Sequence, residues 1–491
     1  MITVIGAGIG GLCTAALLAA QKKEVHIFET NSSPGGKMSE ITLGEYRFDT
    51  GPSLFTMPFI SESIFETCGE KLSDYLTYSS LEPLCRYTYA DGTVFDNSSD
   101  VSKTLQSMRS FSPEDEENYI RFLGKSAELY KKTAQAFLFN PLADFKDFKS
   151  LNFWDLAKID AFSTVSESVE KNFESNYMKM FFKRFATYNG SSPYKAPATM
   201  NVIPYVELAQ GGFYVQGGLF SIARALESLC LKLGVKIHYN SPVSEISVKN
   251  RKVTGVVSNE IFHKSKIVVS NSDSVFTYTK LISNDVLSES IKSRFRNIEP
   301  SCSGFVLFLG INRTYRNLKH HNIFFSADYK KEFDDIFLER KPSQDPTIYI
   351  ANTSYSDKNQ APDGHANLFI LINAPYTKKS FDWESYKNEY SELIINKLRK
   401  NGLFDLDKHI VEQDCITPVD FEQKFQSNKG SIYGISSNSR YAAFLRPRNR
   451  SPFLKGLYLV GGGTHPGGGI PLVSLSAKHA VTLINRDFPK L

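Results

Sequence analysis

Apolar runs punctuated by glycine recur at both ends of the chain and again in its middle. The opening ITVIGAGIGG is a strand-like apolar run that breaks into glycines; residues 12–22 then follow at helical spacing, and 25–28 form a second apolar run ending at Glu29. Strand, glycine turn, helix and strand make a βαβ unit. Residues 219–233 repeat the helical pattern, followed by strand-like runs at 235–239, 243–248, 253–257 and 267–270. The chain closes with an apolar strand at 456–460, a glycine-rich turn at 461–469 and a helix from Pro471, a residue suited to the first helical turn because its missing N–H is not needed there. These runs are expected to complete one sheet, so residues 1–53, 215–280 and 442–491 form one discontinuous domain. The stretches 54–214 and 281–441 become an inserted domain, with a second sheet predicted from the apolar runs 304–310, 347–352 and 367–372. The fold class is α/β, α+β overall: a Rossmann-like nucleotide domain carrying an insertion of mixed sheet with a helical region at 120–190.

Composition narrows the function classes. Hydrophobic residues at 41% and charged residues at 22% fit a folded globular chain. The 57 basic against 52 acidic residues leave only +5, which gives no whole-chain field for nucleic acid. The six cysteines are scattered, without a CxxC pair, as in a reducing compartment. Residues 2–20 lack charge, but no Lys or Arg precedes them and four glycines interrupt them, so neither a signal peptide nor a membrane span is expected.

Gly6, Gly8 and Gly11 stand in G-x-G-x-x-G spacing. The first allows a tight turn, the second close approach of backbone to a pyrophosphate, and the third close packing of helix on strand. Ile9 and Gly10, within the glycine turn, are further cofactor-binding candidates, the N-terminus of the helix that follows favours phosphate, and Glu29 stands where a carboxylate would hydrogen-bond ribose hydroxyls, with Thr30 beside it. NAD and FAD share this pattern. The next residues, NSSPGGKMSE with Gly35, Gly36 and Lys37, and then FDTGPS with Gly51, Pro52 and Ser53 followed by Leu54, resemble the flavoprotein superfamily of amine oxidases and carotenoid desaturases. The resemblance implies FAD, with Lys37 near the pyrophosphate where Arg is commoner; Lys offers a point charge in place of a fork. It also implies backbone contact from Val243 to the adenine end. The run GGGTHPGGGIPLVSLSAK resembles the C-terminal signature of bacterial-type carotenoid desaturases, and implies that Gly462, Gly463, Gly469, Ile470, Pro471 and Leu472 surround the flavin ring. There a helix N-terminus stabilises the anionic reduced ring. Gly463 replaces the acidic residue found elsewhere in the superfamily.

Catalytic candidates are fewer. His465 is read either as a base or as a turn-stabilising side chain. Tyr205 and Glu207 precede the return to the nucleotide domain and are the candidates for the flavin's active face, against a structural role. His320 and His321 invite a metal reading, but strand neighbours point to opposite faces and no third ligand is spaced nearby, so no metal is expected. Phe173, Tyr177, Phe181 and Phe185 repeat at i, i+4 among lysines; such a helix lies in a membrane interface or packs on a core. The resemblance favours the membrane, implying a carotenoid substrate taken from the bilayer, peripheral attachment on the inner face of the cell membrane, and a quinone or oxygen as electron acceptor.

The implied chemistry is hydride loss from a carbon allylic to a polyene, followed by loss of the adjacent proton. Placement and exclusion of water carry such a step without a strong nucleophile. No G-x-S-x-G or Cys/His motif is present. Within the family the sequence looks most like the branch that introduces the 3,4 double bond into 1'-hydroxycarotenoids. Phytoene or diapophytoene desaturation and flavin-dependent carotenoid oxygenation or isomerisation are the alternatives, and a soluble amine oxidase is another. From a different class comes a prenyl-lipid escort protein, which has no need of the glycine apparatus.

Overall fold

The N-terminal apolar run becomes the centre of a parallel sheet. In the computed structural model, which describes residues 1–144, 147, 163–439 and 446–490, the buried strand Ile2–Ile5 pairs in parallel with Val25–Phe28 and Val268–Ser270. Lys236–His238 and Leu457–Leu459 extend the two sides, giving five strands drawn from the start, middle and end of the chain. Parallel strands covered on both faces need continuous apolar sequence, which Ile2–Ile5, Val268–Ser270 and Leu457–Leu459 carry, while the edge strand Lys236–His238 is half exposed and does not. The helix Ile9–Ala20 packs against Phe220–Lys232 and Ile470–Asp487.

Two of the strand runs expected in that sheet lie elsewhere. Val243–Lys249, Lys252–Ser258 and Ile261–Lys264 form a separate three-stranded antiparallel sheet. Its turns are Asn250-Arg251 and Asn259-Glu260, each with positive φ at both positions. Such two-residue turns make antiparallel hairpins, whereas joining the parallel sheet needs a crossover of about a dozen residues or more.

The insertions share a seven-stranded mixed sheet in the order Ile410–Ile416, Ser303–Ile311, Ala366–Ala374, Ile348–Asn352, His321–Phe324, Cys85–Thr88 and Val94–Asn97. Ser303–Ile311 is buried at every position. One of its faces meets the helix Trp383–Lys400 through Phe305, and the other meets Tyr46 and Phe48.

The aromatic helix is not a membrane face. Over Asn176–Lys183, Met178, Phe181 and Phe182 are fully buried, and the flanking Phe173 and Phe185 join them against Tyr87, Phe95 and Phe325. Lys179 and Lys183 pair with Glu170. The hydrophobic stripe is satisfied by the edge of the seven-stranded sheet, which is why the interfacial reading fails here. The rest of the 120–190 stretch lies partly outside the described residues. Among those described, no helix is long and apolar enough to cross a membrane.

Candidate active site

The strand-to-helix turn builds the first wall of the main cavity. Gly6 has φ 91°, and a Cβ on Gly11 would lie 2.1 Å from the Gly6 carbonyl oxygen. Neither position admits a side chain without movement. Gly6, Gly8 and Ile9 line the cavity, while Gly11 sits behind it where the helix packs on the strand and Gly10 faces Asn271, Gly461 and Val473. The Asn271 side chain closes on the same turn: a Cβ on Gly8 or Gly10 would come within 2.5 or 2.6 Å of its amide atoms. Its backbone N–H donates to the Ile5 carbonyl at 2.8 Å. Sequence reading missed Asn271, whose signal is its place just beyond the apolar strand Val268–Ser270.

Glu29 follows the second strand and is buried. Its Oε2 accepts from the Ala7 N–H at 2.6 Å, and its Oε1 from the Asn31 N–H and side-chain amide at 2.8 and 3.0 Å. The carboxylate is thus fixed beside the glycine turn, with Thr30 next to it on the cavity wall. Gly35 forms a bridge to Gly8. A Cβ on Gly36 would meet only the Gly8 Cα, at 3.6 Å, so the two glycine stretches face one another. Lys37 Nζ donates to the carbonyls of Ser431 and Ile432 at 2.8 and 3.2 Å, tying the insertion to this wall. Desolvation brings its ammonium down to about 8, with Asp273 opposing. A Cβ on Gly51 would lie 2.1 Å from the Lys37 carbonyl oxygen. Pro52, Ser53, Leu54 and Val243 continue the lining.

The far wall comes from the C-terminal string. Gly462, Gly463, Gly469, Ile470, Pro471 and Leu472 all line the cavity. Gly469 has φ 99° and open space within 4 Å of its missing Cβ, at the head of the helix Ile470–Asp487. Arg446, also missed from sequence, donates to the Ile435 carbonyl and Ser437 Oγ at 3.1 and 3.2 Å and to the Gly462 carbonyl at 3.3 Å. Burial lowers it to about 10. His465 lines the cavity, but its Nε2–H donates to the Asn140 carbonyl at 2.9 Å and its ring stacks 5.5 Å from His479, which donates to the Leu138 carbonyl at 2.8 Å. Burial holds His465 down to about 4. The geometry matches its turn-stabilising reading.

These features fit FAD. Glycines stand where backbone must approach a ligand, an oriented carboxylate flanks them, and two helix N-termini border one cavity of ≈720 Å³. When bound, FAD supplies a two-electron acceptor to that cavity.

At its other end the cavity meets the seven-stranded sheet, where Leu84, Ile323, Phe369 and Leu371 are apolar lining. Glu207 is buried there in the turn Tyr205–Ala209. Its Oε1 accepts from Arg184 Nη2 at 2.9 Å and its Oε2 from the Tyr188 hydroxyl. Burial pushes the Glu207 carboxyl up, with Arg184 opposing. Tyr205 is not part of the cavity lining; its ring lies 5.2 Å from that of Tyr130. The two histidines also differ from expectation: their rings are 4.5 Å apart, because His320 precedes the strand His321–Phe324 and escapes its alternation. Among the described residues no group of three or more potential metal ligands gathers.

The sequence matches the family described as flavin containing amine oxidoreductase over residues 9–485. It is 33% identical over 488 residues to a 4,4'-diaponeurosporene oxygenase of Staphylococcus haemolyticus, with 99% of this chain and 97% of that protein covered. It is 36% identical over 484 residues to a 4,4'-diapolycopene oxygenase of a Methylomonas species, with 97% and 96% covered. A solved putrescine oxidase variant shares the fold with a TM-score of 0.69 at 12% identity, over 100% of this chain and 99% of that one. With the glycine cradle and these full-length matches in hand, the chain belongs to the flavin-containing amine oxidoreductase family and is an FAD-dependent oxidoreductase.

Proposed function

We propose that the protein oxidises a carotenoid at an allylic carbon near the end of its polyene: the C–H bond would break with its hydride passing to the bound flavin, one water molecule would supply the oxygen that replaces it and release a proton, and the product carries a hydroxyl at the chain end. The observation that carries the reading is a flavin cradle opening into an apolar, aromatic-lined cavity, joined to full-length similarity with two proteins named as carotenoid oxygenases. Ile323, Phe369 and Leu371 supply dispersion contacts to a hydrocarbon and keep bulk water out, so the chain's own contribution is orientation and desolvation. Glu207 stabilises Arg184 rather than abstracting a proton, since both of its oxygens are engaged. Such a substrate is insoluble in water, which supports collection at a membrane surface on the cytoplasmic side, with a quinone or dioxygen as final acceptor.

The C-terminal string 461–478 favours a second reading, 3,4-desaturation of a 1'-hydroxycarotenoid. One experiment separates the two. The FAD-loaded protein is mixed anaerobically with liposomes carrying either an acyclic hydrocarbon carotenoid or a 1'-hydroxycarotenoid; flavin bleaching is followed and the products are weighed after air is admitted. Bleaching by the hydrocarbon with oxygen gained at the chain end supports oxygenation. Bleaching by the hydroxylated compound alone, with loss of two hydrogens and a red-shifted polyene, supports desaturation. Bleaching by neither overturns the carotenoid reading.

A further inference from the structure

Inside the apolar end of the cavity a line of hydrogen bonds stops short. Ser53, in the FDTGPS segment of the flavin wall, bonds to the Tyr349 hydroxyl, and Tyr349 bonds to His321 Nδ1 at 2.7 Å, with the His321 and Tyr349 rings stacked 5.7 Å apart. All three residues line the cavity, and His321 is 2% exposed. Its Nε2 is buried and has no hydrogen-bond partner among the described residues. A second lining residue repeats the pattern: Arg184 gives Nη2 to Glu207, while its Nε is buried and unpartnered. A buried polar atom left without a partner is destabilising, so two of them on residues that line one cavity are a standing demand for a polar ligand group. A pure hydrocarbon cannot meet it. Burial holds His321 well below its ordinary value, so the ring is neutral, and the Tyr349 bond at Nδ1 fixes its orientation. When the Tyr349 hydroxyl donates to Nδ1, Nε2 carries the proton and is a donor.

We propose that His321 Nε2 receives an oxygen at or near the end of a polyene, a hydroxyl or aldehyde, and that Ser53 and Tyr349 hold the imidazole in place for it. His321 is thereby a specificity-determining residue that ranks end-oxygenated carotenoids above their hydrocarbon parents. This rests on the carotenoid reading above. It places the protein at an oxygenated stage of its substrate's processing: the ligand it holds best has already acquired an oxygen, either from an earlier hydroxylating or hydrating reaction or from a first round on this enzyme.

The test measures binding without turnover. The holoenzyme is reduced with dithionite under argon, and its affinities for a hydrocarbon polyene and for the same polyene bearing a terminal hydroxyl or aldehyde are titrated from the carotenoid absorbance shift. The expected result is a preference of about tenfold for the oxygenated ligand, the value of one buried hydrogen bond. His321→Phe should bring the ratio to about one while hydrocarbon affinity holds, and His321→Gln, which offers an amide donor, should restore part of the preference. Bound-flavin absorbance before reduction reports whether each variant has kept its fold. A wild-type ratio near one, or an undiminished preference in His321→Phe, would overturn the proposal and assign the free nitrogen to a trapped water. Failure of the wild type to bind either polyene would instead remove the carotenoid reading on which the proposal stands.

Discussion

At the scale of single residues the cavity sets chemistry through what is already paired. The Arg184–Glu207 ion pair is nearly inaccessible to solvent, with Tyr188 as a second donor to the carboxylate. Removing one member of such a pair strands the other's charge and typically costs ~3–5 kcal/mol, whereas replacing both by apolar groups can be nearly neutral. Glu207→Leu should therefore lower the unfolding free energy by about that amount, and the double variant Arg184→Met/Glu207→Leu should recover most of it in denaturant titrations. Glu207→Gln should keep the rate of flavin reduction per bound FAD within about twofold on the proposed reading, in which the carboxylate holds Arg184 and Tyr188 and another group or water takes the proton. A hundredfold loss of that rate with unchanged stability would show that Glu207 moves a proton after all. Gly11 makes a simpler case: its Cβ position lies 2.1 Å from the Gly6 carbonyl oxygen. Overpacking of this kind costs roughly 1–3 kcal/mol, and Gly11→Ala should purify with little or no FAD, as read from the ratio of visible to ultraviolet absorbance.

At the scale of elements, two histidines fasten the C-terminal string to the segment 138–140. His465 lies at about 4 and His479 at about 3, both lowered chiefly by burial, so both rings are neutral in the folded protein above those values. In the unfolded chain a histidine takes up its proton near 6.5. The unfolded state therefore binds more protons as pH falls through this interval; the stability each neutral ring represents is present above 6.5 and lost on the way down to 4. For His465 alone the difference corresponds to about 3 kcal/mol at most. Thermal unfolding should change little between about pH 6.5 and 7.5, below the range in which Lys37 at about 8 begins to titrate, and fall steeply below 6.5. His465→Gln, which retains a donor towards Asn140 and cannot titrate, should flatten part of that fall; superimposable pH profiles would assign the acid limb to other groups.

The same elements show what sequence could and could not convey. Strands such as Ile2–Ile5 and Leu457–Leu459 were legible because burial on both faces demands unbroken apolar runs, and the cradle was legible because Gly6, Gly8, Gly11 and Glu29 hold fixed spacings. The separate hairpin sheet was hidden, since an alternating strand does not announce its partner; only the turns Asn250-Arg251 and Asn259-Glu260 betray it. The helix Asn176–Lys183 shows a limit of amphipathicity, as one aromatic stripe suits a bilayer and the cluster around Phe95 and Phe325 equally well. Asn271 is marked only by its place just beyond the strand Val268–Ser270, and the contacts of Arg446 and of His321 run to residues distant in sequence, so nothing within a few residues of either records them.

At the scale of the whole molecule the chain is stitched so that one cofactor bears on segments far apart in sequence. The five-stranded sheet takes Ile2–Ile5 from the start, Val268–Ser270 from the middle and Leu457–Leu459 from the end, and walls of the flavin cavity come from all three regions. A ligand that binds only the folded form stabilises it by RT ln(1 + [L]/Kd), about 4 kcal/mol at a thousandfold excess over Kd. That free energy must reach the N- and C-terminal strands together, because neither can leave the sheet without opening the cradle. The seven-stranded sheet has its own cores on both faces and contributes to the cavity from one side only. Adding FAD to the apoprotein should therefore raise hydrogen-exchange protection in parallel across Ile2–Ile5, Val268–Ser270 and Leu457–Leu459, while the interior of Ser303–Ile311 changes little. Protection confined to the N-terminal strand would mean that the glycine turn binds the nucleotide alone, and that the C-terminal string closes on the flavin as a later, separable event.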